Sequence, residues 1–267
     1  YEAATADLND INMIDPFHLE AYGETTVNYN RDVEIFPVLN TIFEKIYGES
    51  PYKSPTDMGV NMAGNCICDD EACREASKQE IIRRYFDALN ALAKGSTSEK
   101  EAQKIELLMN MAGITVTDRK VVIKALERAK ETDGPAAALE LRDGRIITGK
   151  TTNLLGASAA LLLNVLKVLA GIDHETHIIS PESIEPIQKL KVDYLKSKNP
   201  RLHTDEVLIA LSASAATNPQ ARLALSQLPE LAGCQAHTSV MLSDVDIKIF
   251  KKLEVQLTSE AVYEHAL

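Results

Sequence analysis

The chain has 267 residues, with 28 basic against 39 acidic side chains and a formal charge of −11. That balance argues against a bulk phosphate-backbone partner, because nucleic-acid binders carry a basic patch or stripe; a local nucleotide site stays compatible with it. Apolar residues at 45% and charged residues at 25% exclude disordered and collagen-like classes and leave one large domain or two modest ones.

Tyr1 to Ala4 reads as helix with no charged-then-apolar leader ahead of it, as though the sequence began inside a larger protein. Asp15-Pro16 is an N-cap followed by proline at the first helical position, opening a short helix through Tyr22. Arg31 to Tyr47 carries a helical stripe of Val33, Phe36, Leu39, Ile42, Phe43 and Ile46, bent by Pro37 and stopped by Gly48. Asp69-Asp70-Glu71 starts a helix striped by Ile82, Tyr85, Phe86, Leu89 and Leu92, which Lys94-Gly95 closes. Ser98 with Glu101 predicts a capping box for a helix ending at Gly113, and Thr117 predicts the cap of another bearing Val121, Val122, Ala125 and Leu126.

The pattern changes near Asp133-Gly134-Pro135. Ala136–Leu141 and Arg145–Lys150 read as a hairpin around Asp143-Gly144. An apolar helix follows over about 152–170; Ser158, Asn164 and Lys167 mark it as buried and amphipathic, since a membrane span needs about 20 mostly apolar residues. Then come a strand at His177–Ser180, a helix through about Lys196, a helix from Thr204, and another started by Asn218-Pro219. A strand at about Cys234–Leu242, a helix opened by Ser243-Asp244 and a strand at Val255–Thr258 complete the series. Strands alternating with helices imply a sheet covered on both faces. The expected fold class is therefore α plus α/β: a helical domain over 1–133, then a three-layer α/β/α sandwich over 134–267.

Four sites of chemistry compete with plainer explanations. Gly144 to Thr151 fits G-x-x-x-x-G-K-[ST], but Arg145-Ile146-Ile147-Thr148 is extended and β-branched, so the stretch reads as a hairpin strand before a phosphate loop. The helix after it still offers an N-terminus to an anion beside Thr151, Thr152 and Asn153. Cys66, Cys68 and Cys73 lack the spacing of a zinc knuckle, and with Cys234 they are too few for a disulfide framework; this points to a cytoplasmic protein with no metal. His203, Asp205 and Ser212 or Ser214 offer a His-Asp-Ser set, but no nucleophile elbow supports it, and Asp205 is explained as a first-turn acid.

Two donor-rich loops, 25–32 and 52–65, run into helices and supply the candidate ligand-binding residues: Asn28, Asn30, Arg31, Asp32, Lys53, Ser54, Thr56, Asp57, Asn61 and Asn65. In a ligand site Arg31 and Lys53 would contact an anionic group, and Asp32 or Asp57 would hold a metal or act as base. Capping and turn chemistry explains the same residues equally well.

The runs YEAATADLND, NMIDPFHLEAYG, TTVNYNRDVEIFPVLN, SPYKSPTDMGVNMAGNCI, ASKQEIIRRYF and NPRLHTDEVLIALS resemble the carboxy-terminal half of an uncharacterised bacterial protein family, whose members are sometimes labelled ATP-dependent peptidases. The resemblance covers essentially the whole chain. It implies an amino-terminal α/β portion absent here, with a Gly-rich phosphate-loop-like stretch, so that ATP or another nucleotide would be bound mainly by that portion. The two polar loops would then face it. Ala136 to Thr151, the next helix and His177-Ile178-Ile179-Ser180-Pro181 are similar in order to the cytidine deaminase-like topology. Glu182 and Glu185 stand at its two cysteine positions, which leaves the zinc chemistry without its thiolates. Three functions follow as expectations: part of a nucleotide-dependent enzyme, an oligomerisation module without catalysis, or a peptidase. No H-E-x-x-H motif or nucleophile elbow supports the last. A homo-oligomer is expected, with no nucleic acid and no membrane as partner.

Overall fold

In the computed structural model, residues 12–13, 27–50 and 70–264 are described. The chain divides into two compact units, Tyr1–Arg119 and Lys120–Leu267.

In the first unit, β1 (Asn12–Met13) and β2 (Val27–Asn28) form a two-residue antiparallel ladder, a local pairing where only helices are expected. Helix α1 (Tyr29–Tyr47) ends at Gly48, whose φ of 83° is a left-handed stop that glycine adopts without strain. Ile42 and Ile46, predicted to face a core, are exposed, and with Val38 they form an outward row four residues apart. Helix α2 (Asp70–Ala93) buries Ile81, Ile82 and Phe86, and α3 (Glu99–Ala112), which packs against it, buries Leu108 and Met109. Ser98 makes no side-chain cap, so the predicted capping box is not formed; its carbonyl accepts from Glu101 N at 3.2 Å. Thr117 does not start the next helix either. Asp118 accepts from the Thr115 amide at 2.7 Å and closes a capping box on the short 3-10 turn Val116–Asp118.

Helix α4 (Lys120–Thr132) belongs to the second unit, although the sequence places it in the helical half. Its Val121 and Ala125 pack on Ala138 and Ile146 of the sheet. Strands β3 (Ala136–Glu140) and β4 (Ile146–Lys150) form the predicted hairpin, with Gly144 at φ 82° in the turn. The sheet runs β4-β3-β5-β6, with β5 (Gln235–Thr238) antiparallel to β3 and β6 (Gln256–Ser259) parallel to β5.

The other face carries the main core. Ala137, Leu139 and Ala236 meet Leu161, Leu162, Val165 and Leu166 of α5 (Ala157–Leu169), with Val207 and Leu211 of α7 (Thr204–Ser214), Ala221 and Ala224 of α8 (Pro219–Leu225), and Phe250 of α9 (Asp244–Lys252) beyond. Helices therefore cover both faces of a mixed sheet, as the strand-helix alternation predicts.

The segment 177–180 is not a strand, so the deaminase-like order is not reproduced. Ile178 and Ile179 bury their side chains, but the place beside β3 is taken by β5. Between α6 (Pro181–Lys189) and α7 the chain makes a π-helical turn, Leu190–Tyr194, which directs Lys191 inward. Asp133, Lys196 and Glu254 adopt left-handed conformations at φ 48°, 57° and 56°, each just past a helix or turn. Among the described residues, no helix is long and apolar enough to cross a membrane.

Candidate functional site

β4 is an edge strand, and its register fixes which of its backbone groups are spent. Leu141 N donates to Arg145 O and Thr151 N donates to Pro135 O, both at the ends of the hairpin. In an antiparallel ladder the bonded pairs alternate, so Ile147 and Gly149 bond to β3 while Ile146, Thr148 and Lys150 turn their amides and carbonyls outward. Asn164 of α5 donates to Thr148 O at 2.9 Å and covers one of these groups.

Helix α5 lies close to β4 because residue 149 is glycine. A Cβ there would fall 2.2 Å from Leu161 N and 2.8 Å from Ala157 O, inside the backbone of the helix. Gly149 is thus a close-approach residue in a strand rather than the second glycine of a phosphate loop.

Beside this edge lies a cavity of about 620 Å³, within the range of small-molecule sites. β4 bounds it through Thr148 and Lys150, α5 through Leu163, Asn164 and Lys167, α4 through Arg128, and the segment 174–179 closes it. Its apolar part is Leu154, Leu155, Ile178, Ile179 and Ile184. A second cavity of about 540 Å³ continues along β4 towards Arg145 and shares Thr148, Asn164, Lys167 and His174 with the first.

The lining is cationic in an acidic chain. Arg128, Lys150 and Lys167 with His174 and His177 face a single acid of the first cavity, Glu175. Lys167 Nζ donates to the His174 carbonyl, which ties the far wall to α5. Burial lowers the Lys167 pKa, against Glu175 and Asp173, which raise it. Arg128 pairs with Glu131 at 3.1 Å through Nη1, while its Nε is buried and has no hydrogen-bond partner among the described residues.

The predicted site residues belong to the first unit, and the structure describes none of their side chains. Asn28 is in β2 and Asn30, Arg31 and Asp32 open α1, with side chains outside the described residues. Lys53, Ser54, Thr56, Asp57, Asn61 and Asn65 are likewise outside the described residues, as are Cys66 and Cys68. Cys234 is buried, and burial pushes its thiol pKa up, which makes it inert. No group of three metal-ligating side chains occurs among the described residues. Glu182 sits in the first turn of α6.

The His-Asp-Ser set does not assemble. His203 Nδ1 lies 3.0 Å from Asp246 Oδ2, and Asp205 instead accepts from the Glu206 amide at 2.8 Å. The serine at hand is Ser243, which donates to Asp246 at 2.7 Å and sits 3.5 Å from Nδ1. A triad nucleophile belongs at Nε2, on the opposite side of the ring. Asp246 also accepts from the amide and hydroxyl of Thr204, so the cluster joins α9 to the start of α7. Burial pushes the Asp246 carboxyl up, but bonds from His203, Thr204 and Ser243 outweigh it and hold the pKa down at about 2. The hydrogen bond to Asp246 raises the His203 pKa, against burial. On the opposite face of the sheet, His237 is buried beside Thr258, with Nδ1 2.8 Å from its hydroxyl and Nε2 3.3 Å from Glu260 Oε1.

The described residues make a helical unit and a unit built on a mixed four-stranded sheet, which is a mixed α/β protein. The chain belongs to the DUF1846 family: the model for its N-terminal domain of unknown function matches residues 1–113, and that for its C-terminal domain of unknown function matches residues 117–267. It is 60% identical over 263 residues to a UPF0371 protein of Corynebacterium urealyticum, covering 98% of this chain and 53% of the relative. A UPF0371 protein of Corynebacterium aurimucosum is 61% identical over 263 residues, with the same coverage. One from Streptococcus thermophilus is 56% identical over 265 residues, covering 99% of this chain and 54% of the relative. The chain thus spans about half the length of the curated relatives it matches, and none of these descriptions names an activity, a ligand or a nucleotide-binding domain.

Proposed function

We propose that the second unit binds an organic anion in the cavity beside β4. The observation that carries this reading is the lining: Arg128, Lys150 and Lys167 gathered on a partly apolar cavity of about 620 Å³ in a chain of charge −11. A cavity with an apolar floor and few charged groups suits a ligand with a carbon body and a carboxylate or phosphate end. Arg128, one of the lining cations, gives that end a guanidinium. A phosphorylated ligand, a nucleotide included, satisfies these conditions, and so does a polycarboxylate.

Calorimetric titration with ATP, inorganic pyrophosphate and citrate at low ionic strength tests it. At least one should bind, and Lys150→Ala and Lys167→Ala should each weaken binding about tenfold, the worth of one charge-assisted hydrogen bond. Absence of binding by all three anions, or affinity unchanged from the unsubstituted protein in both variants, overturns the reading.

A further inference from the structure

Resting on that anion site, we propose that its natural occupant is an extended acidic peptide segment, which adds to the outer edge of β4 as a further strand. The two cavities follow the strand rather than a point: one reaches from Thr148 past Lys150, the other from Thr148 back to Arg145. Along that line the outward amides and carbonyls of Ile146 and Lys150 have no partner among the described residues, and Asn164 covers the Thr148 carbonyl alone. Strand addition uses such a row of main-chain groups for affinity and alternate side-chain positions for selectivity.

Charge decides the class of strand. Successive peptide residues point to opposite faces of the sheet. Lys150 shares the α4 face with Ala136, its register partner, and Arg128 comes from α4; Lys167 comes from α5 on the other face. Acidic side chains are therefore met on both faces. A second copy of this chain is disfavoured at the same edge, because two β4 strands side by side set Arg145 and Lys150 of one against those of the other.

The test uses the whole chain and three blocked hexapeptides: one in which glutamate pairs alternate with valine pairs, so that each face carries acids, the same pattern with lysine, and the first with N-methyl groups on alternate residues. Binding is read by calorimetry, and amide exchange by NMR. The glutamate peptide should slow exchange at the Ile146 and Lys150 amides about tenfold at saturation, while the lysine peptide should not. N-methylation keeps the charge and removes the strand pairing, so it should weaken binding about tenfold. Unchanged exchange at both amides, or equal affinity of the N-methylated peptide, overturns the proposal. Binding of ATP, citrate or pyrophosphate in that event leaves the anion site standing; if all three fail to bind, the anion reading falls with it.

Discussion

Asp246 accepts four hydrogen bonds, from His203, the Thr204 amide, the Thr204 hydroxyl and Ser243. Its folded pKa of about 2 lies below the ordinary 3.8, so its share of stability is complete above the unfolded value and disappears as pH falls through the folded one. That share amounts to about 2 kcal/mol. His203 runs the other way: its folded pKa lies above 6.5, so its share is complete below that value and disappears as pH rises through the raised one. The pair therefore contributes most between the two ordinary values. Asp246→Asn should lower unfolding free energy by about 2 kcal/mol near pH 5.5 and by less near pH 2.5, measured by urea denaturation. An equal loss at both pH values would assign the effect to packing. None of this was legible beforehand, because residues 203 and 246 are paired by tertiary structure, while Asp205 carries the local helix signal.

At the scale of elements, the close contact of β4 with α5 rests on one missing side chain. Gly149→Ala places a methyl 2.2 Å from Leu161 N, and backbone on both sides prevents relief. The variant should lose about 3 kcal/mol or more, or fail to fold, whereas Gly156→Ala, whose added carbon would meet its nearest atom at 3.8 Å, should lose far less. Thermal melts of the two variants compare them directly. Helices and the hairpin were well marked in the sequence: Gly48, Gly95, Gly113 and Gly144 all take the left-handed conformations that their turn positions require. Asn218 and Ser243 cap α8 and α9 through their side chains, as their positions before the helices suggest. The segment 177–180 misled, because a short apolar run looks the same whether it enters a sheet or lines a cavity. The cavity itself was half visible. Thr152 and Asn153 stood out beside a helix start, but Arg128 and Lys167 lie on helices where any exposed cation would look alike.

For the molecule as a whole, the division at Arg119 and Lys120 has a measurable meaning, because α4 covers a sheet face that nothing else in its cluster covers. We expect residues 120–267, expressed alone, to unfold cooperatively with one near-ultraviolet transition. A fragment starting at residue 134, the boundary the sequence suggests, should uncover Ala138 and Ile146, bind a hydrophobic dye and melt broadly. Equal behaviour of the two fragments would refute the role given to α4. Both would carry the walls of the cavity except Arg128, which the shorter one loses.

Lys196 and Glu254 occupy backbone geometry that a side chain resists, at φ 57° and 56°. Each holds roughly 1 kcal/mol of tension that glycine would release. Lys196→Gly and Glu254→Gly should accordingly raise the melting temperature by a few degrees together, less the entropy that glycine adds to the unfolded chain. Neither residue lines the cavity, so the pair of exchanges is a route to a hardier protein for crystallisation and ligand screening with its binding chemistry intact.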